Sequence, residues 1–443
     1  MDLTHTLISL NETLTSCVVF PAMILLGLYL TYRLRFVQVT KLKAGFTHLL
    51  KQEKDAEGSI SHFEAISAVL AGNFGTGNIS GMAVALSMGG PGALVWMWIM
   101  AFLGASIQYV SCILGVKYRT KNTLGECVGG PMYYLSKGLG AKKLAVLFAL
   151  LTLFASITVG NFAQINSMTL PLKAIGFDPL FCGIVIGGVV ALVMFGGLGR
   201  VSKLASLLVP LKAALYLGTA LVILYFNLEL IIPALKLMFS SAFNPLAIGG
   251  GVMGFGVLKA VSTGFERGLF ATDAGTGIVP ILQSSTKTSC PFVDGMVTLV
   301  APFLVMIVCT ITGLVLIVTG AYQIDGLQST NMVTYAFKEG LGHQAGAYVV
   351  IVALVLFGYT TILAWGVAAE RAGEYLLGTK QTRYIRWAYI LLIPVGALLK
   401  VDLVWILADL CISLMVITNM VGVAGLSSEI IGEHRLRGHA TIN

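Results

Sequence analysis

Charge is scarce in this sequence: Asp, Glu, Lys and Arg make up 11% of the 443 residues, against ~25% in soluble domains. A chain this long suggests two or three water-soluble domains. At 57% hydrophobic it reads instead as one polytopic membrane domain. Paired cysteines are missing too. Cys17, Cys112, Cys127, Cys182, Cys290, Cys309 and Cys411 form no C-x-x-C and fall mostly in apolar runs, so they read as small hydrophobes without a disulfide framework. Histidine is confined to tails and loops, which leaves haem and zinc chemistry unsupported. No H-E-x-x-H, paired intramembrane aspartates or G-x-S-x-G occurs, so the expectation is no enzyme and no cofactor. The start, MDLTHTLISLNE, lacks a positive n-region and does not read as a cleavable signal. The net charge of +8 is spread through loops and marks no nucleic-acid partner.

Long apolar runs are what the chain has instead. Eleven segments are expected to cross the bilayer: 16–32, 63–88, 93–116, 144–169, 180–195, 205–226, 235–269, 293–319, 347–369, 386–399 and 403–426. The fold class is therefore an all-α polytopic membrane protein. With the N-terminus outside, Lys173, Lys236, Lys338 and Lys400 fall on the outer side, and most of the 28 lysines and arginines fall on the other. That bias marks the second side, with the C-terminal tail 427–443, as cytoplasmic in a cell-membrane protein.

One of these runs is interrupted. Residues 70–81, LAGNFGTGNISG, place Gly72, Gly75, Gly77 and Gly81 among Asn73, Thr76 and Asn78. Each glycine costs a helix about 1 kcal/mol against alanine, and Asn and Thr offer the backbone other bonds. The plain alternative is that Gly77-x-x-x-Gly81 is a helix-packing face. A break at the membrane midplane is tolerated only where it lines a cavity. There the second half-helix turns its positive N-terminus to an anionic group, and freed carbonyls bind cations. A second glycine-laden stretch, GGGVMGFGVLKAVSTGFERGLF at 249–270, is expected to hold a matching break, with glycine packing again the rival. If 16–32 is an extra helix, 63–226 and 235–426 form two groups of five. An odd number of spans per group inverts one against the other.

FEAISAVLAGNFGTGNISG at 63–81, GGPGALVWMW at 89–98, GGPMYYLSKGLG at 129–140, GNFAQINS at 160–167, RGLFATDAG at 267–275 and GYTTILAWG at 358–366 occur in this order along nearly the whole chain. In them the sequence resembles the alanine/glycine:cation symporter family. The resemblance implies a five-plus-five inverted-repeat transporter that takes up small neutral amino acids with sodium, plus one added helix. Two departures stand out: ATDAG at 271–275 where relatives read SNEAG, and the charged Lys259 in KAVSTG at 259–264.

The resemblance also implies a site. Backbone N–H groups of Thr76, Gly77 and Asn78, with Asn73 and Gly75 beside them, would take the substrate carboxylate, since glycine permits close backbone approach. Gln164, an amide deep in an apolar segment, needs a partner there. It would meet the substrate, or else bond across helices through Asn161 and Asn166. Ser262, Thr263 and Gly264 would line a slot more polar than usual, and Trp365 would cap it or simply pack. Glu266 beside Arg267 reads as an ion pair at the membrane edge. Sodium would lie among the carbonyls of Ala71, Phe74 and Phe357 and the hydroxyls of Thr360 and Thr361, an oxygen-only set suited to a hard cation. Thr360 and Thr361 have the alternative of bonding back to their own helix. The competing idea is a proton-coupled or Lys259-dependent transporter, in which the Lys259 ammonium stands in for the metal ion.

Overall fold

Hydrocarbon offers backbone N–H and C=O groups no partners, so a chain this apolar must close its hydrogen bonds within helices. The computed structural model describes residues 3–51, 56–243, 255–327 and 329–440, and these are almost all helical. Seven helices among them are long and apolar enough to cross a membrane: Thr6–Arg33, Ala93–Lys117, Lys142–Ala174, Gly197–Phe226, Pro291–Val318, Ala345–Leu377 and Val404–Leu436. The other expected spans are occupied by the shorter helix Pro179–Met194, the pair Thr382–Leu391 and Ile393–Leu398, and two interrupted helices, except that the expected span 235–269 begins inside the helix Leu228–Phe243 and its residues 244–254 lie outside the described residues.

The first interruption lies where the glycines put it. His62–Asn73 starts on a capping box, Ser61 with Glu64, which satisfies two orphan donors at once. It stops at Phe74, Thr76–Asn78 follow as one 3₁₀ turn, and Ser80–Gly89 resumes the helix.

The second interruption lies just beyond the expected stretch 249–270. Phe255–Thr272 runs unbroken through Lys259 and Gly264, and the break is at 273–277, before Ile278–Gln283. The reason is how the glycines are spent. A Cβ on Gly264 would stand 2.5 Å from the Ala93 carbonyl oxygen and 2.6 Å from Trp96 Cβ, and one on Gly268 3.3 Å from Met97 Cα. These two let the helix lie close against Ala93–Lys117, the small-residue packing of membrane helices. Left-handed backbone at Asp273, Gly275 and Gly277, with φ of 51°, 94° and 90°, then ends the helix, as such residues do at helix C-termini. The glycines at 249–254 lie outside the described residues.

The two breaks meet. Asn73 Nδ2 donates to the Thr272 carbonyl at 2.7 Å, pinning the last turn of one half-helix to the last turn of the other.

Candidate functional site

Both breaks open on one small cavity of about 10 Å³, room for about one water. Its walls are Gly72, Asn73, Gly75 and Gly77 from the first broken helix and Phe270 and Asp273 from the second. Val159 and Gln164 of Lys142–Ala174 and Thr361 and Trp365 of Ala345–Leu377 complete it. A larger crevice, about 500 Å³ near Lys51, His62, Ser206 and Lys287, carries none of the expected substrate residues.

Gln164 holds the unwound turn. Its Oε1 accepts from the Thr76 N–H and the Thr76 hydroxyl, both at 3.0 Å. Its Nε2 donates at 3.0 Å to the Val159 carbonyl, which sits in the π-helical turn Thr158–Phe162. The helix–helix role falls to its neighbours: Asn161 donates to the Tyr389 carbonyl and Asn166 to that of Leu399, both at 2.8 Å. Of the three N–H groups expected to meet a carboxylate, Thr76's goes to Gln164 and Asn78's closes the turn on the Gly75 carbonyl at 3.2 Å. The Gly75 and Gly77 N–H groups find no acceptor among the described residues. The Asn78 side chain braces the turn, donating to the Asn73 carbonyl and accepting from the Cys309 thiol.

The walls are tight. A Cβ on Gly75 would stand 2.9 Å from Thr361 Oγ1, and one on Gly77 2.7 Å from the Phe270 ring. Trp365 is fully buried and lies over Gly160, where a Cβ would meet it at 2.1 Å.

Asp273 is the member to which sequence reasoning gave no role, noting it only as a polar group near a span and part of the ATDAG departure. It is 2% exposed, and its Oδ1 has no hydrogen-bond partner among the described residues. A buried carboxylate in that condition is costly unless a cation comes to it. The signal was present in the sequence as an acidic residue shortly before Gly275 and Gly277, following an apolar stretch.

Some of the oxygens that the resemblance implies for sodium lie close together next to this cavity. Thr361 Oγ1 donates within reach of the Ala71 carbonyl at 2.8 Å and the Phe357 carbonyl at 3.0 Å, and Thr360 Oγ1 lies 3.1 Å from the Phe357 carbonyl. Thr361 therefore bonds both back to its own helix and across to the broken one. A further group enters from Gly197–Phe226: the Lys212 ammonium donates to the Phe74 carbonyl at 2.8 Å and to Thr360 Oγ1 at 2.5 Å.

Three expected residues are elsewhere. Ser262 bonds back to the Lys259 carbonyl at 3.2 Å, Thr263 packs on Gly89, and Gly264 on Ala93 and Trp96. With the break displaced to 273–277, that turn stays helical and faces neighbouring helices, so it makes no polar slot. Lys259 is not buried. Its side chain is 33% exposed and lies 3.5 Å from Glu12. Among the described residues Glu266 makes no direct ion-pair contact with Arg267; it accepts from Thr15 at 3.3 Å. Arg267 bonds Asp409 at 2.5 Å in a pair with only 6% and 16% of the side chains exposed.

The chain is 39% identical over 442 residues to the sodium/alanine symporter AgcS of Methanococcus maripaludis, covering 96% of each. It is 41% identical to an uncharacterized transporter of Haemophilus influenzae over 93% of this chain and 92% of that one. With a probable sodium/glutamine symporter, GlnT of Bacillus subtilis, it shares 32% identity over 95% and 87% of the two chains. Among solved structures, a manganese transporter of Eremococcus coleocola has a TM-score of 0.51 at 14% identity, covering 85% of this chain and 80% of that one, which is a likeness of fold alone. The model of the sodium:alanine symporter family matches residues 1–436, and the chain belongs to that family of multi-pass membrane proteins carrying amino acids with a cation.

Proposed function

We propose that the protein takes up small neutral amino acids of alanine or glycine size across the cell membrane, by alternating access around the two breaks. The observation that carries this is the lining shared by them, with donors on one side and an unpartnered carboxylate on the other, around a cavity that now has room for about one water and must widen to take an amino acid. A zwitterion needs both. Its carboxylate would face the free N–H groups of Gly75 and Gly77, at the positive N-terminal end of the half-helix Ser80–Gly89. Its ammonium would face Asp273, and its side chain the wall of Phe270, Val159 and Trp365. Recognition of this kind reads the groups that all amino acids share, while the tight walls limit the side chain. Eleven spans in two inverted groups of five, with the N-terminus outside and the C-terminus in the cytoplasm, complete the reading.

Uptake of labelled amino acids into liposomes containing the purified protein is the test. Alanine and glycine should saturate and compete with each other. Leucine carried better than alanine would refute the small-substrate claim. The names of two relatives make sodium the first cation to supply in that assay.

A further inference from the structure

The cluster expected to bind sodium already contains the side-chain nitrogen of a lysine. Of the five residues assigned to that ion, two, Phe74 and Thr360, present the oxygens to which the Lys212 ammonium donates, at 2.8 and 2.5 Å. The ammonium also lies 4.6 Å from the centre of the Phe357 ring and 6.0 Å from that of Phe74, within the distance at which an aromatic face attracts a cation. Lys212 is completely buried, so its long stem spans an apolar wall to deliver one charge to one place. No carboxylate lies within ion-pair distance of it among the described residues. Its charge is met by a carbonyl set free by the helix break, a hydroxyl and two rings, which is the kind of neighbourhood a monovalent cation would otherwise occupy.

We propose that Lys212 is a tethered substitute for sodium at this position. It rests on the amino-acid reading above and changes which cation that reading needs here. Two features favour it over mere coexistence. A sodium ion placed among the same oxygens would stand within a few ångströms of a second full positive charge, in surroundings where such repulsion is strong. The ammonium also ties together the two elements that a coupling ion would tie, the break after Asn73 and the Thr360 hydroxyl of Ala345–Leu377, and fastens both to the helix Gly197–Phe226 that carries it. Alanine binding should therefore need no sodium at this cluster, and removing the charge should open the position to the ion.

The experiment measures equilibrium binding of labelled alanine to the full-length protein in sodium and in choline media of equal ionic strength. Wild-type affinity should differ by less than about twofold between them. Lys212→Met should bind at least about tenfold more weakly in choline and recover in sodium. Wild-type binding that is at least about tenfold tighter in sodium would overturn the inference, whether or not the variant folds. So would a Lys212→Met protein that binds like wild type in choline. Both results leave the amino-acid reading standing. That reading fails, and the inference with it, if neither alanine nor glycine binds in either medium.

Discussion

Replacing Asp273 by Asn separates charge from shape. Asparagine is nearly the same size and accepts left-handed backbone, so the φ of 51° that ends the second half-helix is kept. What goes is the negative charge on a side chain that is 2% exposed with an unpartnered oxygen. If that oxygen receives the substrate ammonium, the lost hydrogen bond is one to a charged group, worth roughly 1.5–3 kcal/mol, or about 10- to 150-fold in Kd. The empty protein should respond the other way, because an unpaired buried charge costs more than an amide. Thermal unfolding reads both. Alanine at a hundred times the wild-type Kd stabilises wild type by about 2.7 kcal/mol, and should stabilise Asp273→Asn by only about 0.3–1.4 kcal/mol. The unliganded variant should melt higher than unliganded wild type. An alanine affinity unchanged within about twofold would refute the assignment of Asp273 to the ammonium, whatever happened to the melting temperature.

Gly77→Val should abolish alanine binding, because its first added atom would meet the Phe270 ring at 2.7 Å; a binding assay on protein that still elutes as a monodisperse peak checks this. Arg267→Ala should destabilise by about 3–5 kcal/mol through the buried partner it strands, since Arg267 bonds Asp409 at 2.5 Å. The double variant with Asp409→Ala should recover part of that loss in a melting experiment, and no recovery would argue against direct coupling. A cysteine introduced near Glu12 should react with an impermeant thiol reagent in intact cells and one near His439 should not. The reverse pattern would invert the proposed topology.

The first break was legible because its chemistry is local. Four glycines with Asn and Thr inside an apolar run have few other physical explanations, and Gly75 and Gly77 do lie where backbone must approach closely. The second was misplaced because density of glycine does not say what glycine is for. Gly264 and Gly268 serve packing against Ala93–Lys117, which depends on a neighbour that the local sequence does not name. The three left-handed residues 273, 275 and 277 make the break with fewer glycines. Gln164 was found because a buried amide in an apolar helix needs a partner, but that the partner is Thr76 follows only from the fold.

Lysine was the instructive error. Lys259 drew notice because it precedes Ser262, and it ends at the rim beside Glu12. Lys212 was the stronger signal, a lone charge in the middle of the apolar run 205–226, where a charge is expensive unless it has a task. Its two acceptors are 138 and 148 residues away in sequence, beyond the reach of any spacing rule. A sodium ion enters and leaves with its cargo, so its bonds to an unwound helix are made and lost with each turnover. A tethered ammonium stays with the chain. On that reading, movement of the first broken helix away from Ala345–Leu377 must separate Phe74 from Thr360 while Lys212 follows one of them. The free energy that coupling draws on then lies in which of these two oxygens the ammonium keeps.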